Sequence, residues 1–144
     1  HHYSYMIDPW NHLRGAGGCP FCTGSEGEVH IRTWLENHHI NFVPQYSIPN
    51  ENLFCKRQSL RVDFYLPDFR MFIEMNGEQH YKNIAYFHQG GWTFEDQQIR
   101  DESLRQYSKR HNVKLLVIKY DEIKKIPKIL SSALIKNASA RKLA

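Results

Sequence analysis

The stretch from Arg61 to His80 constrains this chain more than any other, because it reads as a β-hairpin with two carboxylates at facing positions. Leu60, Val62, Phe64 and Leu66 alternate with Arg61, Asp63 and Tyr65, and Met71, Ile73 and Met75 alternate with Phe72, Glu74 and Asn76. A period of two marks strands with one buried face. With Pro67 to Arg70 as the turn, Leu66 faces Met71, Phe64 faces Ile73, and Asp63 falls opposite Glu74. Like charges so placed, with Cβ atoms ~4.5–5.5 Å apart, destabilise a sheet. A divalent cation removes that penalty, since hard cations take carboxylate oxygens. The plainer alternative pairs Asp63 with Arg61 or Arg70 on a solvated face, and Glu74 with another base.

At 144 residues the chain has room for one domain and one core, with space for a small appendage. An apolar content of 41% places it among folded proteins rather than disordered tails. The formal charge of +4 permits a polyanionic partner without demanding one. Three cysteines do not make a disulfide framework, so Cys19 and Cys22 suit metal or redox work in a reducing, cytoplasmic setting. No apolar run approaches the ~18 residues of a membrane span. The opening His1-His2, in place of Met, reads as a fragment or a tag remnant, and neither histidine is taken as a ligand.

Residues 1–24 read as a loop-rich lead, with Gly15, Gly17 and Gly18 ahead of the cysteine pair. A helix is predicted from Ser25 as N-cap to about Asn37, with Glu28, Ile31, Leu35 and His38 on one face. A strand over Ile40–Ile48 and a polar loop precede the hairpin. Residues 81–92 form an aromatic, Gly-containing loop ending at Thr93, which caps a helix from Phe94 to about Arg110. Val113–Tyr120 is a buried strand. A last helix carries Pro127 in its first turn, buries Ile129, Leu130, Ala133 and Leu134, and fades into a basic tail. The order gives an α/β domain over 25–144, a mixed central sheet flanked by helices.

Several side chains outside the hairpin carry two readings each. His80, just past Gly77, emerges from the strand that bears Glu74, where an imidazole suits a general base; the alternative is a strand-end histidine. Asp101 can orient such an imidazole, or form an ion pair with Arg105 worth ~0.2–0.5 kcal/mol. Glu28 either closes a capping box with Ser25 or faces the sheet. Cys19 and Cys22, preceded by His12, supply half of a four-ligand zinc site, with Cys55 poorly spaced to complete it. Phe87 and Trp92 can wedge between base pairs or pack onto their own domain.

Glu28, Asp63, His80 and Asp101 in that order, around Val62-Asp-Phe-Tyr65 and Ile73-Glu-Met-Asn-Gly-Glu-Gln-His80, resemble the phage homing endonucleases of the EDxHD class. These are similar to the very-short-patch mismatch repair endonuclease within the PD-(D/E)xK nuclease superfamily. The resemblance covers residues 25 to 120, and Gly17-Gly-Cys-Pro-Phe-Cys22 resembles the end of a zinc-ribbon-like element before such domains. It implies a restriction-endonuclease-like core that hydrolyses phosphodiesters in double-stranded DNA. By the resemblance Asp63 ligates Mg²⁺ or Mn²⁺, Glu74 or its neighbour shares the ion, and Glu28 contacts the ion or its water. His80 is the general base and Asp101 orients it. The superfamily's lysine is Asn76 here, so activity would turn on His80. Alternatives are a mismatch-nicking repair enzyme and a silent DNA-binding domain. Long-site specificity would need further DNA-binding modules outside this chain.

Overall fold

The computed structural model describes residues 24–56, 58–77 and 93–142, with side chains as far as 135. Helix α1, Glu26–Asn37, begins where the Ser25 hydroxyl accepts the Glu28 amide at 3.3 Å, satisfying one of the donors that a helix start leaves unbonded. It ends where His39 turns left-handed, with φ 53°, and the Ile40 amide returns to the Leu35 carbonyl at 3.0 Å. Strand β1, Val43–Pro49, therefore starts later than the predicted Ile40; Ile40 and Phe42 pack on the core instead. His38, expected on the buried face of α1, is an exposed C-cap stacked on Trp34.

Strands β2, Ser59–Leu66, and β3, Met71–Asn76, form the predicted hairpin. A 3-10 turn over Pro67–Phe69 closes it, with Arg70 left-handed at φ 46°. Helix α2, Phe94–Arg110, opens in a reciprocal capping box between Thr93 and Asp96. Strand β4, Lys114–Lys119, leads through a 3-10 segment into helix α3, Ile126–Lys142, where an early Pro127 sacrifices no intrahelical bond. The basic segment expected to fade into a tail is helical to Lys142.

The four strands make one mixed sheet in chain order. β1, β2 and β3 are successively antiparallel; β3 and β4 are parallel, joined by the crossover that contains α2. Helices α1 and α3 cover one face, burying Ile31 and Leu35 with Phe64, Leu66, Ile73, Ile118 and Leu130. On the other face Leu104 of α2 packs with Ile48, Leu60, Val62 and Phe72. Each such fully buried side chain contributes ~1.5–3 kcal/mol. Among the described residues no helix is long and apolar enough to cross a membrane.

Leu60, Val62, Phe64 and Leu66 share a parity and were expected on one face, yet the first two pack beneath α2 and the last two beneath α1 and α3. β2 changes faces at Asp63. β1 changes with it: Gln45 is left-handed at φ 50°, and the ladder pairs Pro44 with Phe64 and Tyr46 with Val62 while skipping Gln45 and Asp63. A left-handed residue inside a strand redirects the backbone, much as a bulge does. The first candidate carboxylate sits at that bend.

Candidate functional site

The β2–β3 ladder pairs Leu66 with Met71, Tyr65 with Phe72 and Phe64 with Ile73, the predicted register, and then stops. The next facing residues are Asp63 and Glu74. Beyond them β2 stays with β1, Val62 opposite Tyr46, while β3 stays with β4, Glu74 opposite Val117. Amides at such a fork still need acceptors, and the two carboxylates supply them crosswise. Glu74 Oε2 accepts the Asp63 amide at 3.0 Å, and Asp63 Oδ2 accepts the Met75 amide at 2.7 Å. The plainer pairing of Asp63 with Arg61 or Arg70 is not formed; Arg70 instead donates to the His111 carbonyl.

Helix α2 brings a cation to the fork. Arg100 Nη2 donates to Glu74 Oε1 and to the Arg61 carbonyl, while Nη1 donates to Asp101 Oδ1 at 3.0 Å. Both oxygens of Glu74 are thereby engaged. Asp101 also accepts Gln97 Nε2 at 3.0 Å, and the alternative pair with Arg105 is absent because Arg105 turns to Glu102 at 3.2 Å. Sequence reasoning assigned Arg100 no role. The available signal was its spacing with Leu104 and Tyr107, which places an arginine on the packed stripe of α2.

Helix α1 brings Glu28. A Cβ added at Gly27 would meet Met75 Sδ at 2.6 Å, so the bare glycine lets the first helical turn press against β3 beside Glu74. Only half of the predicted capping box forms: Ser25 accepts the Glu28 amide, but the Glu28 carboxylate does not bond back. Among the described residues that carboxylate has no hydrogen bond or ion pair, and its charge acts on Asp63.

The electrostatics follow from this crowding. Burial, then the charge of Glu74, with Glu28 adding to both, pushes the Asp63 carboxyl up to about 8, against the Met75 amide and Arg100. Glu74 is raised as well, its burial outweighing Arg100. Burial pulls Arg100 down, but Glu74 and Asp101 raise it above its ordinary value. A cleft of about 690 Å³ opens beside the fork, between Gln98, Asp101 and Arg105 of α2 and the strand ends at Asn76 and Lys119.

The structure thus gathers Glu28, Asp63 and Glu74, with Asp101 joined to them through Arg100. His80, the cysteines at 19 and 22, Phe87 and Trp92 lie outside the described residues. Cys55 is a half-buried free thiol packed on the α2-side core. Among the described residues no group of three or more His, Cys, Asp or Glu side chains is placed to hold a metal ion by itself. Asp63 Oδ1 and the Glu28 carboxylate accept nothing among the described residues, and these are the oxygens that a hard cation would meet there.

No family model matches the chain, and no solved structure matches it. Over 76 residues it is 40% identical to Uncharacterized protein 307L of Invertebrate iridescent virus 6, a match covering 53% of this chain and 38% of that protein. Over 116 residues it is 30% identical to Uncharacterized protein 033L of Invertebrate iridescent virus 3, covering 81% of this chain and 59% of that protein. The chain spans less than two thirds of the length of either relative.

Proposed function

We propose that residues 25–144 form a metal-dependent DNA endonuclease domain with a restriction-endonuclease-like core, acting in the cytoplasm of a host cell. The observation that carries this reading is the fork, where Asp63 and Glu74 meet as the hairpin opens, with Glu28 of α1 and the Arg100–Asp101 pair of α2 beside them. The topology supports the core assignment: a helix, an antiparallel hairpin, then a β–α–β unit on the same sheet. In this reading the lead holding Cys19 and Cys22 is the end of a zinc-ribbon-like element, and Phe87 and Trp92 contact DNA.

Asp63, with Glu74 and Glu28, would hold Mg²⁺ or Mn²⁺, which when bound polarises a phosphodiester and lowers the pKa of the attacking water. Asp63 presents Oδ1 while the Met75 amide fixes Oδ2. Arg100 offsets the charge of Glu74 and ties the hairpin to α2. His80, four residues past the end of β3, takes the proton of the attacking water, and Asp101, steadied by Gln97 and Arg100, orients the imidazole. Lysines and arginines on the surface neutralise backbone phosphates, so binding weakens steeply with salt.

One observation favours the second reading, a catalytically silent DNA-binding domain: Arg100 already compensates Glu74 without a metal. Supercoiled plasmid incubated with Mg²⁺ or with EDTA separates the two. Nicking by the wild type in Mg²⁺ only, lost in Asp63→Asn and His80→Ala, is the expected result. An inactive wild type, or equal nicking by all three, refutes the nuclease. Competition between paired and mismatched duplexes then distinguishes homing from repair.

A further inference from the structure

Arg32 stands out among the buried polar residues. It lies on α1 at 8% exposure, and its Nε is fully buried with no hydrogen-bond partner among the described residues. Glu28 precedes it by one turn and Glu36 follows by one turn, the spacing at which helical ion pairs form. Neither pair is made. A buried guanidinium with an open donor carries a desolvation cost that it recovers only when an acceptor arrives.

The flank on which it sits narrows the acceptor. Residues four apart lie one above the other, ~6 Å along the axis, so Arg32 stands directly behind Glu28, whose carboxylate also has no partner among the described residues and acts on Asp63. A buried open donor and a half-exposed carboxylate of opposite sign, one turn apart without pairing, suit a ligand with both a cationic and an anionic end. A phosphodiester accompanied by a divalent cation has both.

We propose that Arg32 is a phosphate-binding residue of this site, its guanidinium donating to a non-bridging oxygen of the DNA backbone while the carboxylates face the cation. The assignment rests on the nuclease reading and adds to it a specific anion contact outside the Glu28, Asp63, His80, Asp101 set. The planar guanidinium suits a phosphate, which accepts two parallel donors.

Arg32→Met and Arg32→Gln test it by three readouts: thermal midpoint without metal, duplex-DNA affinity in EDTA across a salt series, and plasmid nicking in Mg²⁺. The midpoint should hold or rise, because an unsatisfied buried donor is removed. The slope of log affinity against log salt should shrink by about one, and nicking should fall on the order of 100-fold. A lowered midpoint in both variants, or a salt slope equal to that of the wild type, overturns the assignment. A wild type that binds but never nicks refutes the nuclease instead, and the slope comparison still decides Arg32.

Discussion

Removing a charge from the fork should make the metal-free protein more stable. Asp63 ordinarily titrates near 3.8 but is pushed up to about 8, by burial first and then by Glu74. Between those values the unfolded chain has released the proton that the folded protein still holds, so stability is fully present below about pH 4 and is lost as pH rises through about 8. At ~1.4 kcal/mol per pH unit the ceiling near pH 8 is about 5–6 kcal/mol. Side-chain relaxation and an effective dielectric nearer ~20 than ~4 reduce this to on the order of 1–3 kcal/mol. Asn keeps the acceptor for the Met75 amide and the amide that donates to Glu74. Asp63→Asn should therefore raise the thermal midpoint in EDTA at pH 8 by ~3–10 °C, with the gain shrinking to nothing near pH 4. Added Mg²⁺ should stabilise the wild type and leave the variant unmoved. Differential scanning calorimetry at several pH values reads all of this. A variant less stable than the wild type at pH 8, or a difference that does not change with pH, refutes the reasoning.

Arg100→Met should cost about 3–5 kcal/mol, since it leaves Glu74 buried and uncompensated; the double variant with Glu74→Gln should recover most of that loss in urea denaturation. Gly27→Ala should cost ~1–3 kcal/mol, because the new methyl group meets Met75. Met75→Ala in the same chain should restore much of the loss, and failure of that rescue would mean that α1 is not held against β3 through this contact.

The parts of the fold legible in the sequence are those set by local chemistry. Period-two alternation on either side of Pro67–Arg70 placed the hairpin register, and Thr93 marked the start of α2. Asp63 and Glu74 were legible as facing acids for the same reason. The change of faces at Asp63 was not, since parity runs unbroken from Leu60 to Leu66 while the bend depends on Gln45 of the neighbouring strand. Glu28 carries two readings because a capping box and a site carboxylate share one spacing, and only the fold shows that its carboxylate makes no bond back to Ser25. The role of Arg100 is not legible in the sequence because its partners lie on β2 and β3, far away in the chain.

The two acids that the sequence presents as equals are not equal in the fold. Glu74 spends one oxygen on the Asp63 amide and the other on Arg100, so it acts as a strut that joins β2, β3 and α2. Asp63 spends one oxygen on Met75 and has no cation bonded to the other among the described residues, while the charge of Glu28 acts on it. The asymmetry follows from the crossover: α2 supplies its guanidinium to the carboxylate of β3, while Asp63, at the bend of β2, receives no such bond. A destabilising carboxylate held by one backbone amide and no cation is costly to keep for structure alone. Its place at the mouth of an open hairpin is where a bound cation would offset that cost.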